Sequence, residues 1–267
     1  MDTGTIRVIV AGALGKMGIE TVQAINQDGA MQLVGLADAR GREMDFAEHT
    51  GIREIHLPVA AELEGLLNTV SADVLVDFTA PQAVAQNVRL ALEHGLHAVV
   101  GTTGLTAADM EQLENLAEER GVGLAIIPNF ALGAVLMMRL AQEASHYFPQ
   151  AEIIELHHDQ KVDAPSGTAM KTAEMIRQGS GPSQAGEPKD FEKVAGARGG
   201  EYQQLRIHSV RLPGLVAHQE VIFGGQGETL RIRHDSYNRT SFMPGVILTV
   251  KRILEHRGLI YGLDKLL

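Results

Sequence analysis

Residues 155–168, ELHHDQKVDAPSGT, carry the densest chemistry in the chain. His157 and His158 are adjacent, Lys161 follows, and Ser166, Gly167 and Thr168 open into AMKTAEMI, which reads as a helix. Three kinds of chemistry use such residues. A metal needs ligands converging from one side, but neighbouring residues of a strand point to opposite faces and no HExxH pattern occurs, so no metal is expected. Both histidines could instead be held by structural hydrogen bonds alone. The third reading is a site that binds an anion and gives it a proton. The first N–H groups of a helix lack intrahelical partners and, with a Ser or Thr hydroxyl, hold a carboxylate. Lys161 adds a fixed cation, and either histidine adds a donor that titrates near neutral pH.

A second motif lies near the start. AGALGKMG sets Gly12, Gly15 and Gly18 between the β-branched run TIRVIVAG and the helically spaced KMGIETVQAINQ. Glycines at a strand-to-helix turn let the backbone approach a pyrophosphate, which rests on the helix N-terminus. The spacing is GxxGxxG, with Leu14 where the commoner fingerprint has its middle glycine, so the loop alone is a weak signal. Context strengthens it. Asp38 ends a second strand-like run, MQLVGLAD, 20 residues after Gly18. A carboxylate there accepts hydrogen bonds from both ribose hydroxyls, although a solvated strand end would look the same. Asp38 repels a 2′-phosphate, which favours NADH. Arg40 and Lys16 are cations able to pair with that phosphate, so NADH and NADPH are both expected as cofactors.

These residues must be positioned by a fold, and the chain is long enough for one. It has 267 residues, 45% hydrophobic and 21% charged, in the range of ordinary soluble globular proteins. It has no cysteine, which excludes disulfides, thiolate metal sites and cysteine nucleophiles, and suits a cytoplasmic setting. No basic, apolar leader opens the sequence, and the most apolar long stretch, FALGAVLMMRLAQEASHYF, is interrupted by Arg139, Gln142 and Glu143, so neither a signal peptide nor a membrane span is expected. A formal net charge of −10 argues against a general nucleic-acid surface.

Up to Asn129, apolar strand-like runs alternate with helical patterns, which implies a parallel sheet covered on both faces. Pro81 is placed to open the helix PQAVAQNVRLALEHG, with Gly95 as its stop. Beyond Asn129 the pattern changes. A long helix is expected from about Phe130 to Tyr147, then the run AEIIELHH, a helix from Thr168 and a Gly/Pro-rich loop over Gly179–Gly200. Alternating strands follow, Leu230 and Ile232 facing one way and Arg231 and Arg233 the other, as in an antiparallel or mixed sheet. MPGVILTVKRILEHRG closes the chain as a helix able to pack back on the first domain. The fold class is therefore α/β: a Rossmann-type dinucleotide-binding domain, 1–129 plus 238–267, with an inserted α+β domain over 130–237 that carries a mixed open sheet. Asn129 and Asn238, where the pattern changes, are natural hinges.

Taken together, VAGALGKMG, VDFTAP, VGTTG, IPNF, ELHHDQKVDAPSGTA and NRTSFMPG resemble, in order and over nearly the whole chain, the dihydrodipicolinate reductase family of bacterial lysine and diaminopimelate biosynthesis. The resemblance implies NAD(P)H-dependent reduction of 4-hydroxy-tetrahydrodipicolinate, a small cyclic dicarboxylate, with loss of water. It assigns the pyrophosphate loop to Gly12, Ala13, Leu14, Gly15, Lys16 and Met17 and the ribose carboxylate to Asp38. Gly101, Thr102, Thr103, Ile127, Pro128, Asn129 and Phe130 would face the cofactor around its nicotinamide end. His157 would be the proton donor, Lys161 the second donor, His158 a substrate contact, and Gly167 and Thr168 the carboxylate clamp. It also implies a homotetramer built through the second domain's sheet. Two positions depart from the family's common pattern: Lys16 stands where arginine is usual, and Asp159 and Gln160 fill the gap before Lys161. The rival readings are another Rossmann oxidoreductase acting on a small dicarboxylate, and a non-catalytic NAD(P)H-sensing module.

Overall fold

The structure is a computed structural model and describes residues 4–180 and 191–267. The chain forms two compact units, Met1–Phe130 with Phe242–Leu267, and Ala131–Ser241. Their edges lie one and four residues past the expected crossings at 129/130 and 237/238. Phe130 stays with the first unit because its ring packs on Phe78, with centroids 5.6 Å apart. Ser241 stays with the second because its hydroxyl donates to the Asn238 carbonyl at 2.8 Å and lies 3.1 Å from Ser236 Oγ, whose hydroxyl it can accept from.

In the first unit the elements run β1 (Ile6–Ala11), α1 (Lys16–Gln27), β2 (Met31–Ala37), α2 (Phe46–Thr50), β3 (Val59–Ala60), α3 (Leu63–Leu67), β4 (Val74–Asp77), α4 (Val84–Glu93), β5 (His97–Val100), α5 (Ala107–Arg120) and β6 (Gly123–Ile126), completed by α8 (Met243–Ile253) and β12 (Gly258–Tyr261). All seven strands are parallel, in the order β12-β6-β5-β4-β1-β2-β3. The central strands read as continuous apolar runs because both faces are covered. Ile9 packs with Leu63, Leu67 and Leu75 on one side, while α1 and α8 cover the other. Val8, Ile9 and Val10 are wholly buried, and each such side chain contributes about 1.5–3 kcal/mol. β1 lies between β4 and β2, where the strand order reverses. Open α/β sheets bind ligands beyond the carboxyl ends of their strands at such a point.

The second unit holds α6 (Leu132–Ala144), β7 (Gln150–His157), α7 (Gly167–Ser180), β8 (Gly200–Tyr202), β9 (Leu205–Arg211), β10 (Ala217–Gly225) and β11 (Glu228–Ser236). The sheet order is β11-β10-β7-β9-β8, and β7 pairs antiparallel with β10 and parallel with β9, so the sheet is mixed, as expected. Ala141 of α6 and Ala169, Ala173 and Ile176 of α7 pack on Ile153, Ile207, Val221 and Phe223 of the sheet.

Several elements differ from the sequence reading. The long apolar helix is shorter at both ends, at Leu132–Ala144. Pro81 does not open α4; residues 81–83 form a turn in which Ala83 and Val84 donate to the Ala80 carbonyl. Gly95 does follow the helix, with φ +76. Of the loop expected at Gly179–Gly200, Gly179 and Ser180 belong to α7, and residues 181–190 lie outside the described residues. Leu230 and Ile232 do share a face, opposite Phe223 and Val221 of β10, but Ile232 packs on the core while Leu230 is 36% exposed. The short strands β3 and β12 carry too little pattern to be read in advance.

Gly18 shows what the glycine loop demands. It is buried in the first turn of α1, and a Cβ there would lie 2.0 Å from the Gly12 carbonyl oxygen and 2.9 Å from Ala13 Cα. Gly18→Ala is expected to lower stability by about 1–3 kcal/mol, the usual cost of overpacking. Gly29→Ala, with nothing within 4 Å of the added methyl, should stay within about 0.5 kcal/mol. Urea unfolding of both variants checks this; equal midpoints would contradict it.

Candidate active site

The core-facing rows of the second sheet change character along β7. Alternate residues of a strand share a face, so Ile153, Glu155 and His157 point the same way. Ile153 lies between Ile207 and Val221, an apolar row. Glu155 lies between Ser209 and Gln219, a polar row, and His157 between Arg211 and Ala217. The core therefore ends in a patch of hydrogen-bonding groups rather than in solvent.

Glu155 is wholly buried. Its Oε1 accepts from Arg211 Nη2 at 2.7 Å and from the Ser166 N–H at 3.3 Å. Its Oε2 accepts from Arg211 Nη1 at 2.9 Å and lies 2.5 Å from His157 Nδ1. Burial alone would push this carboxyl up, but hydrogen bonds from Arg211, Ser209 and His157 outweigh it and hold the group below the usual carboxylate range. The imidazole of His157 is pulled below its usual value, first by burial and then by the cations Lys161 and Arg211, against the opposing pull of Glu155. His157 is therefore poised toward its neutral form.

The following loop is tied to the same carboxylate. Arg211 Nη2 also donates to the Asp163 carbonyl at 2.7 Å, and Lys161 Nζ donates to the Asp163 carboxylate at 2.6 Å. Ser166 caps α7: its Oγ accepts from the Ala169 N–H at 3.2 Å, and only 2% of the residue is exposed. That hydroxyl, expected as a ligand contact, serves the helix as its cap acceptor. The exposed Gly167 then begins α7, with Thr168 half-buried after it. His158 is exposed beyond the strand end. The structure thus brings His157, Lys161 and the start of α7 around one buried carboxylate. Among the described residues, no group of three or more His, Asp or Glu is arranged to hold a metal ion.

In the first unit the predicted cofactor residues sit at the carboxyl ends of the parallel strands. Gly12 follows β1 with φ +77, and a Cβ on it would lie 2.4 Å from the Phe78 carbonyl oxygen. Gly15 caps α1 without a side-chain hydrogen bond, and no acidic residue occupies the first turn, so the positive end of the helix is left for an anion. Asp38 follows β2 and is 8% exposed. It accepts from the Leu14 N–H at 3.0 Å, which ties it to the glycine loop, and from the Arg40 N–H, Nε and Nη2 at 2.9–3.0 Å. Burial would raise its pKa, but the bonds from Arg40 and Leu14 prevail and hold it low. Arg40, expected to meet a 2′-phosphate, thus also masks the charge of Asp38. Lys16 is exposed. Gly101, Thr102 and Thr103 follow β5, and Ile127, Pro128, Asn129 and Phe130 follow β6. Ile127 and Phe130 are buried, whereas Pro128 is exposed.

Four residues that organise these sites were not singled out in the sequence. Asp77 is wholly buried and accepts from Thr79 N–H and Oγ1, Thr102 Oγ1 and Asn87 Nδ2 at 2.7–3.0 Å. Phe78 fills the space that a side chain on Gly12 or Gly101 would need. Glu155 and Arg211 form the floor of the second site. A usable signal existed for Glu155 alone, since its spacing of two from His157 on a strand puts both on one face.

Comparison with known proteins supports both halves. A family model described as dihydrodipicolinate reductase, N-terminus, matches residues 6–130, and one described as its C-terminus matches residues 133–267. A 4-hydroxy-tetrahydrodipicolinate reductase of Syntrophomonas wolfei is 55% identical over 261 residues, 98% of each chain. The enzyme of that name from Bacillus pumilus is 48% identical over 269 residues, covering all of both. The dipicolinate-bound dihydrodipicolinate reductase structure from Paenisporosarcina sp. TG-14 superposes with a TM-score of 0.87 at 44% identity, over 98% of this chain and 100% of that one. An amine dehydrogenase from Mycobacterium smegmatis, at 14% identity and a TM-score of 0.68 over 97% and 95% of the two chains, shares the fold alone. Matched by both family models and by full-length relatives at about half identity, the chain belongs to the dihydrodipicolinate reductase family.

Proposed function

We propose that the chain reduces 4-hydroxy-tetrahydrodipicolinate to tetrahydrodipicolinate with loss of water, taking its hydride from NADH or NADPH, in the diaminopimelate route to lysine. The observation that carries this reading is the grouping of His157, Lys161 and the α7 N-terminus at the polar end of the second unit's core. A substrate with two carboxylates needs fixed positive charge and N–H donors, and its reduced ring needs a proton. A module that only senses NAD(P)H has no use for that grouping.

When bound, the dinucleotide supplies the hydride. The fit of the first unit to it rests on the uncapped start of α1 and on the buried carboxylate of Asp38 tied to the loop. Gly12–Met17 would hold the pyrophosphate, Asp38 the ribose, and Gly101–Thr103 with Ile127–Phe130 the nicotinamide end. In the second unit, Gly167 and Thr168 would clamp one substrate carboxylate through the helix start, with His158 as a further contact. Lys161 would leave Asp163 for the substrate, an exchange that costs little because exposed ion pairs contribute only about 0–1 kcal/mol. His157 would deliver the proton from its ring as electron density moves onto the substrate, with Lys161 assisting. A dianion beside the imidazole would raise its pKa and so recruit the acid form.

The protein is further proposed to act in the cytoplasm as a homotetramer through the second unit's sheet. β11 leaves one edge of that sheet, and its residues Glu228 to Arg231 are all exposed; uncovered edges of this kind readily pair with another chain. Among the described residues, no helix is long and apolar enough to cross a membrane.

Three measurements check these readings. His157→Ala should lower kcat by about 10²–10⁴-fold, the usual range of general acid catalysis, with KM little changed. Lys161→Ala should lower kcat and also raise KM, and NADH binding alone should survive both changes. Near-full turnover in His157→Ala, or loss of NADH affinity in either variant, would remove the assignment. Asp38→Ala should weaken NADH more than NADPH, whereas Arg40→Ala should weaken NADPH more, read as ratios of kcat/KM; two unchanged ratios would contradict the cofactor assignment. Sedimentation at micromolar concentration should show an assembly, and a 28.7 kDa species would argue against it.

A further inference from the structure

We propose that Glu155 is a positioning residue for the reaction: it fixes His157 with its Nδ1 proton on the buried carboxylate, so that Nε2 is the ring nitrogen that carries protons to the substrate. The inference rests on the reading of His157 as proton donor and adds which atom acts and what holds it.

Glu155 and His157 are two apart on β7 and share the core-facing side, so their side chains meet without any turn of the backbone. The carboxylate is wholly buried and its Oε2 lies 2.5 Å from Nδ1. An ionised carboxylate is an acceptor only, so the nitrogen facing it must carry the proton. The other ring nitrogen then points away from Glu155. Nε2 is bare in the neutral ring and protonated in the imidazolium. Proton delivery from Nε2 to the substrate leaves the neutral ring with Nδ1–H still bonded to Glu155, and proton balance is kept without moving the carboxylate's charge. Arg211 makes this possible. Its two-nitrogen bond to Glu155 keeps the carboxylate ionised in the core, and its further bond to the Asp163 carbonyl holds the Lys161 loop to the same floor. A purely structural role, locking β7 to β9, would need Arg211 and Glu155 but would place no demand on His157.

The charged groups facing the imidazole are Glu155 on its own strand, Arg211 on β9 and Lys161 in the loop; its partner on β10 is the uncharged Ala217. Glu155 is the one among them that favours the imidazolium. Removing its charge should therefore move the His157 titration to lower pH. Above its titration midpoint, a ring that titrates one pH unit lower holds about tenfold less of the acid form.

The test is Glu155→Gln, which keeps a carbonyl oxygen for Ser166 and a similar volume. The alkaline limb of kcat/KM should move to lower pH, and kcat at pH 7.5 should fall by about tenfold or more. The deficit should shrink on acidification, and KM should change far less than kcat. An unmoved pH profile would overturn the proposal. Nitrogen-15 NMR of His157 in the unaltered protein provides a second reading if the variant does not fold. The neutral ring should carry its proton on Nδ1, and a proton found on Nε2 would overturn the proposal while leaving His157 as donor. Conversely, full turnover in His157→Ala would remove the donor assignment whatever the tautomer.

Discussion

A carboxylate taken wholly out of water sets the terms for the second unit. Leaving the charge of Glu155 uncompensated in an apolar core would cost several kcal/mol, and the group would neutralise instead. It stays ionised because Arg211 meets it with two nitrogens and the Ser166 N–H with a third donor. Each of those donors belongs to a different part of the site. Arg211 ends β9, Ser166 caps α7, and His157 ends β7. One buried charge therefore aligns the strand that carries His157, the helix start at Ser166 and the loop that carries Lys161.

The first unit solves a related problem with an aromatic residue and missing side chains. Phe78 presents its carbonyl to Gly12 and its ring to Gly101, and packs on Phe130. The turns after β1, β4, β5 and β6 are thereby pressed together beyond the strand ends. Asp77, one residue earlier, fixes Thr79 and Thr102 from below. Gly12 and Gly18 are glycines because the turn itself leaves no room for a Cβ, before any ligand is considered. That explains how a loop lacking the commoner middle glycine still makes the turn: Leu14 faces no such restriction, and its N–H instead reaches Asp38.

Much of this was legible because the chemistry and the periodicity agree. Buried parallel strands show as unbroken apolar runs, and the HHxxK stretch ahead of a helix start shows as a local cationic site. The parts that were not legible depend on partners far apart in sequence. Arg211 reaches Glu155 across 56 positions, and nothing in its neighbours marks it. Short strands such as β3 and β12 pair through position rather than pattern. Pro81 misled because a proline suits a turn as well as a first helical turn. Ser166 is ambiguous for a different reason: a hydroxyl at a helix start accepts from the helix as its cap and keeps its own O–H as a donor, and the sequence alone does not say what that donor meets.

Both sites share one electrostatic arrangement. In the first unit Arg40 lies on Asp38, and in the second Lys161 lies on Asp163. Arg40 is 64% exposed and Asp163 61% exposed, so each pair keeps one member in water, within reach of an incoming anion. A cation kept on a neighbouring carboxylate is oriented without being spent. An anionic ligand must then outcompete that carboxylate, and a group with a single weak charge has little advantage over it. A dianion, or a phosphate that bonds two nitrogens of a guanidinium at once, has a clear one. The same pairing would let a chain of net charge −10 take anionic ligands. At both places a cation already lies on a carboxylate of the protein, and it would be released only to an anion that offers more than that carboxylate does.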